Sequence, residues 1–300
     1  MEEGEPVARS AIPPRQPRFD VKAESQSRRW LRPFGPGQWV YAGGWVDLFR
    51  AFQAEYVRTV RSTLGFEEFA FPRILPLRLA DNLRLSTYRP GLTYGVVALE
   101  ENSALLGFLD PLQNITMYEL FRGQSLADEN LPVKMIETLG GWTWRNEDPN
   151  ELEDAIRTRE FLRVECAFLG RRGDVPRLRH LVRQEITGFL DVLALPWRVV
   201  VGIGCLESPE MASLRAVAAT PDDVPVHDVE VPLGADRWLE VAGCSVEADS
   251  LIDEFGITAQ SGAQLASGCC GIGLNRLVHL FLAHHGFERS GWPQAARGML

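Results

Sequence analysis

Lysine is almost missing from this 300-residue chain: only Lys22 and Lys134 occur, so nearly all positive charge is arginine. The skew is compatible with genome composition and with recognition of phosphate or carboxylate, which suits the planar fork of a guanidinium. An excess of basic charge is lacking too. Forty acidic against thirty-one basic residues give a net charge of −9, which repels a polyanion unless basic residues cluster locally. No apolar run approaches the ~20 residues of a membrane-spanning helix. Met1–Pro14 carries acidic and proline residues where a secretory leader needs a basic start and an apolar stretch. A membrane or secreted protein is therefore not expected, and a cytoplasmic one is. The cysteines Cys166, Cys205, Cys244, Cys269 and Cys270 are odd in number and show no C-x-x-C spacing. Reduced thiols fit that pattern better than a disulfide framework.

The chain itself is long enough for one large domain, and its 45% hydrophobic content suffices for a sizeable core. Residues 1–38 contain Pro13-Pro14, Pro17, Arg28-Arg29 and Gly35-Pro36-Gly37 without a sustained period. They read as a mobile N-terminal arm, leaving 39–300 as the folded domain. From Asp47 to Leu64, Phe49, Phe52, Tyr56, Val60 and Leu64 share one helical face, and Gly65 stands where a C-cap is expected. A second helix starts after Asp174, an expected N-cap, with Pro176 in its first turn and Pro196 beyond its end. Short strands are expected at Val96–Leu99 and Leu105–Leu109, joined by the charged turn Glu100-Glu101-Asn102, and again at Trp197–Ile203 and Arg237–Ala242. Neighbouring strands without regular β-α-β alternation predict an α+β domain, an antiparallel sheet with helices beside it.

Three segments carry the chemistry. Trp144-Arg145-Asn146-Glu147 is followed by a polar stretch and then by Arg157 and Phe161. On a strand, Arg145 and Glu147 would point to one face, the arginine able to meet a phosphate bidentately and the carboxylate to accept from an amine. Arg237-Trp238-Leu239-Glu240 begins an apolar strand that runs on to Gly243-Cys244-Ser245. Glu240 there would be costly to bury without a partner. Gly268-Cys269-Cys270-Gly271-Ile272-Gly273 leads into a helix, with Arg276 in its first turn. The glycines allow close approach of a ligand, and the helix start attracts phosphate.

Together these segments resemble the class II aminoacyl-tRNA synthetase catalytic domain, most nearly the seryl-tRNA synthetases and the amino acid:[carrier protein] ligases related to them. The resemblance runs over roughly residues 40–300. It implies an ATP-dependent activation of an amino acid, with Arg145, Arg276 and Glu240 as catalytic groups. Arg145, Glu147, Arg157, Phe161, Glu240 and Arg276 would bind ATP, Phe161 by stacking on adenine and Glu240 through Mg²⁺. Two departures stand out: Gly243 replaces a second metal-binding side chain, and Asn275 replaces an acid before the arginine. The relatives also hold Zn²⁺ with cysteine, glutamate and cysteine. Glu165 and Cys269 match the second and third ligands, but Asn114 stands at the first. Two versions of the amino-acid pocket stay open. One is zinc on Glu165 and Cys269 with a neighbouring thiol moving in; the other is a metal-free pocket where Asn114 and Glu165 bind the substrate ammonium. His284-His285 are expected as an exposed or capping pair at the end of the last helix.

The resemblance further implies a homodimer, with the Asp47–Leu64 helix and the Pro72 segment at its interface. Once the catalytic segments are placed, no ~100-residue block of the usual domain size is left for a tRNA-reading domain. The expected acceptor is therefore the phosphopantetheine thiol of an acyl or peptidyl carrier protein, and no tRNA partner is expected. Arg171, Arg172, Arg177, Arg179 and Arg183 form either a docking face for that carrier or an ordinary solvated helix face. A different class stays open as well: a regulatory paralogue that binds ATP or an amino acid without turnover, or a transferase to another small acceptor.

Overall fold

The strand residues alternate between a helix-covered face and an open one, and that alternation places the functional side chains. The computed structural model describes residues 1–100, 103–138, 141–205, 208–234 and 236–300. In chain order the strands of the main sheet are β1 (Pro6–Arg9), β2 (Glu67–Phe69), β3 (Val133–Glu137), β4 (Trp142–Trp144) and β5 (Glu160–Arg171). They continue with β6 (Arg198–Val201), β7 (Val226–Pro232), β8 (Trp238–Val246) and β9 (Leu265–Gly273). The spatial order is β1-β6-β7-β8-β9-β5-β3-β2, with β4 paired to β5. Every pairing is antiparallel except the edge pair β2–β3, which is parallel. This is the α+β antiparallel architecture expected from the sequence.

Three long helices cover one face: α1 (Gly44–Leu64), α2 (Val175–Val192) and α3 (Leu274–His285). Their apolar stripes meet Val164, Cys166, Phe168, Cys244, Cys270 and Ile272 of the sheet in one core. Phe52 of α1 is fully buried at the junction, its ring edge-on to Phe189 of α2 and Phe281 of α3. Gly65 ends α1 in the left-handed conformation at φ 66°, which glycine adopts at little cost. Pro176 lies in the first turn of α2 as expected, but Asp174 makes no side-chain capping bond. All five cysteines are free, and no described helix is long and apolar enough to cross a membrane.

The first 38 residues carry more structure than an arm without periodicity would. Pro6–Arg9 adds to the sheet edge against β6, Val21–Ser27 is a helix capped by Asp20, and Leu31–Gly35 pairs with Gln38–Tyr41. These elements are short and mostly exposed, so they impose no long hydrophobic pattern on the sequence. The strands at Gly95–Val97 and Leu105–Leu109 belong to a separate three-stranded sheet with Ile74–Leu75. Glu101 and Asn102 of the turn expected between them lie outside the described residues.

Candidate active site

Registration across the sheet builds the floor of a cleft on the face away from the helices. Asp228 pairs with Gly243, Gly243 with Gly271, Gly271 with Glu165, and Glu165 with Glu137, forming one row across five strands. The two central glycines keep this row low where acids stand on either side. A Cβ on Gly271 would strike the Arg163 guanidinium and the Glu165 carboxylate, which lie across it. Above Gly243 a methyl group would fit in ordinary contact. A Cβ there would sit 3.6 Å from Glu240 Oε1 and 3.8 Å from Asp228 Oδ1, so the two carboxylates converge on one volume.

At one end of the cleft lie Arg145, Glu147, Arg157, Phe161, Glu240 and Arg276, all lining the same cavity. Phe161 arrives as the sequence predicts: β5 returns antiparallel to β4, with Phe161 opposite Thr143. Arg145 and Glu147 differ from expectation, because β4 ends at Trp144 and the chain turns, the Glu147 N–H donating to the Arg145 carbonyl. Arg145 is instead fixed by its Nε bond to the Pro111 carbonyl (3.1 Å), with Nη2 3.1 Å from Cys205 Sγ. Its guanidinium stacks 5.4 Å from the Phe161 ring centroid. Arg157 pairs with Glu151 and stands 3.8 Å from Glu147. Arg276 donates to the Ile156 and Glu240 carbonyls and reaches Glu240 Oε2 at 3.0 Å. Withdrawal from water would raise the Glu240 carboxyl, but Arg276, Arg145 and Arg163 outweigh it and hold it below the usual range. Burial, with Glu240 alongside, pushes Asp228 up to about 9.

Asn275, where the resemblance expects an acid, is buried and uses both ends of its amide. Its Oδ1 accepts from the Leu162 N–H at 2.7 Å and its Nδ2 donates to Tyr41 Oη at 2.6 Å. A carboxylate could not make the second bond as a donor. Asn275 therefore straps the helix start to β5, and the arginine after it keeps its aim.

The other end of the cleft brings Asn114 and Cys269 together, Asn114 Nδ2 lying 3.3 Å from Cys269 Sγ. Glu165 lies beside Cys269 beneath that wall; it is 1% exposed, and Arg163 Nε is 2.6 Å from its Oε2. Burial pushes its carboxyl up to about 7 even against that guanidinium. The carboxylate that does face the cavity is Glu247, beside Ser245 and Cys269. This donor set does not fit zinc. Asn114 presents its N–H₂, not a lone pair, to the sulfur, and Glu165 is committed to an arginine. Among the described residues no group of three His, Cys, Asp or Glu side chains is arranged to hold a metal ion. Glu240 and Asp228, on either side of Gly243, offer hard carboxylate oxygens, the kind of ligand Mg²⁺ takes.

Other expectations need correction. Arg179 and Arg183 do not belong to an exposed docking face; both are buried, Arg179 on the Val224 and Asp222 carbonyls and Arg183 on Asp222 and His227. Arg171 and Arg172 pair with Asp128 and Asp249. Of the exposed or capping pair expected at His284-His285, the exposed reading fails, while His285 meets the carbonyl of Leu193, the C-cap residue of α2. His284 Nε2 lies 2.9 Å from the Pro232 carbonyl and His285 Nε2 2.9 Å from that of Leu193, tying α3 to its neighbours. Asp228 and Glu247 were invisible to sequence reasoning, because only strand registration brings them to Gly243 and Cys269.

The chain is 29% identical to the type-2 serine–tRNA ligase of Methanopyrus kandleri over 94% of its length and 60% of the relative's. It is 28% identical to that of Methanothermobacter thermautotrophicus, covering 91% of this chain and 58% of the other. It thus spans about three-fifths of these curated relatives. The structure of M. kandleri SerRS in complex with A. aeolicus tRNASec superposes with a TM-score of 0.88 at 28% identity, over 100% of this chain and 63% of that one. A cytoplasmic serine–tRNA ligase from Naegleria fowleri in complex with AMP shares the fold, with a TM-score of 0.78 at 13% identity over 99% of this chain and 64% of its own. The family described as tRNA synthetase class II core domain (G, H, P, S and T) matches residues 100–285, more than half of the sequence. With that match, and with the sheet, the glycine floor and the arginines already in place, the chain belongs to the class II tRNA synthetase core-domain family.

Proposed function

We propose that the protein activates an amino acid with ATP and passes the aminoacyl group to the phosphopantetheine thiol of a carrier protein. The observation that carries the first half is one cleft with three cationic groups, Arg145, Arg157 and Arg276, at one end and an acid-lined pocket at the other. A carboxylate oxygen of the amino acid attacks the α-phosphorus, the bond to the β-phosphate oxygen breaks, and pyrophosphate leaves. Arg145 neutralises charge that builds on the α-phosphate, a preorganised contact that needs no rearrangement at the moment of reaction. Arg276 and Arg157 hold the departing side, and Phe161, beside the Arg145 guanidinium, is the ring on which adenine would stack. Bound Mg²⁺ would spread the phosphate charge, with Glu240 and Asp228 as its protein ligands. No general base is needed, since the nucleophile is already a carboxylate. In the second step the thiol, losing its proton, attacks the mixed-anhydride carbonyl and AMP leaves.

The carrier as acceptor is supported by the net charge of −9, which disfavours a long contact with RNA. Transfer to tRNA is the second reading, favoured by the similarity to a relative whose structure is a complex with tRNA. Incubation with ATP, labelled amino acid, a phosphopantetheinylated carrier protein and bulk tRNA separates them. Label on the carrier, released by hydroxylamine as a thioester is, is the expected result; label on tRNA alone contradicts it. We also propose a homodimer. Helix α1 turns its apolar side into its own core, so the interface would draw on the exposed Ile74, Leu105 and Leu106 of the small sheet after Pro72. Leu106→Asp should then convert a sedimenting dimer to monomer; an unaltered dimer contradicts that surface.

A further inference from the structure

Taken deeper on the proposed activating reading, the structure assigns the recognition of the substrate's α-ammonium to Glu247, with Asn114 beside it. Three observations support this placement. First, the strand alternation that sets Gly243 and Ser245 over the cleft carries on to Glu247, whose N–H continues the ladder to the Ser267 carbonyl at 2.9 Å. Second, Glu247 and Asn114 flank one atom: Cys269 Sγ is 3.7 Å from Glu247 Oε1 and 3.3 Å from Asn114 Nδ2. The Asn114 amide gives its N–H₂ to the sulfur, which leaves its carbonyl oxygen to accept. Third, the side-chain hydrogen-bond partners of Glu247 among the described residues are neutral, the Ser245 hydroxyl at 2.6 Å and the Cys269 thiol, and Arg163, the cation that also acts on it, is shared with Glu165.

A half-buried carboxylate with only neutral donors is poorly compensated, and a cation entering the pocket relieves it. An ammonium meets that need and brings further protons for Asn114. Glu247 lies in the same cavity as Arg145, further along the chain than Glu240 of β8, which Arg276 contacts. An amino acid can therefore set its ammonium at Glu247 and its carboxylate toward the α-phosphate. The same cavity is walled in part by Leu83, Leu112, Tyr118 and Leu251, apolar surface that a substrate side chain can meet.

The test is binding of each proteinogenic amino acid by calorimetry, alongside amino-acid-dependent pyrophosphate exchange, for the parent and Glu247→Gln. Glutamine keeps an acceptor for Ser245 and removes only the charge. The expected result is affinity for the amino acid lowered about 10- to 100-fold, seen as KM in exchange, with KM for ATP within about twofold of the parent. Equal amino-acid affinity in parent and variant overturns the assignment. A measurement on the parent alone guards against a misfolded variant: the des-amino analogue of the preferred amino acid should bind at least about tenfold more weakly. Equal binding of that analogue, or binding of no amino acid at all, also overturns it. Binding without exchange leaves the ammonium site standing and defeats the activating reading instead.

Discussion

Arg145 and Arg276 hold partners that a nucleotide can replace, a thiol and a carboxylate at the cleft, while backbone carbonyls fix their stems. Neither completes the core. Arg145→Ala and Arg276→Ala should each lower pyrophosphate exchange about a hundredfold to a thousandfold with the fold intact. Exchange within about tenfold of the parent would remove them from the site. Gly271→Ala should behave like them, since the new methyl would displace the Arg163–Glu165 pair beneath the cleft. His227 makes a separate prediction. It is fully buried, its Nδ1 accepting from Arg183 Nη1 at 2.6 Å and its Nε2 donating to the Pro221 carbonyl at 3.0 Å. Burial, with Arg179 and Arg183 alongside, holds the imidazole down to about 3. The unfolded chain binds this proton first, near pH 6.5. Its contribution is therefore complete above that value and lost as pH falls toward the folded one. Between pH 7 and pH 5 that amounts to about 2 kcal/mol. Urea titrations of His227→Gln should show a correspondingly shallower acid loss than the parent; parallel curves would contradict it.

Among the elements, α1 was readable because its stripe is local: five apolar residues at helical spacing and a glycine to end it. Its packing was not, since Phe189 and Phe281 come from helices far along the chain. Phe52→Ala removes a buried ring from that three-helix junction and should cost about 3–5 kcal/mol in denaturant unfolding. A loss below ~1 kcal/mol would mean the junction is not packed as described. The glycine turn before α3 and the return of β5 against β4 were also legible, both being matters of short-range spacing. Asp228 and Glu247 were not. Each enters the cleft through the pairing of strands whose register the sequence does not state. Glu165 shows the converse: its position matched a family ligand, and it lies beside Cys269, yet a buried arginine pairs with it there.

At the scale of the whole molecule, the large, mainly antiparallel sheet separates a helix-backed core from a charged cleft, the α+β arrangement the sequence led one to expect. Zinc fits that cleft poorly, and metal analysis of protein purified without chelators should give well below one zinc per chain. One zinc per chain, lost in Cys269→Ala, would contradict this. The central claim is that the cleft joins an amino acid carboxylate to the α-phosphate of ATP. Exchange of labelled pyrophosphate into ATP, run over the proteinogenic amino acids with Mg²⁺ present, tests it most directly. The account predicts exchange that depends on one or a few amino acids and disappears in Arg276→Ala. ATP that stays unlabelled with every amino acid, from folded protein, would contradict it.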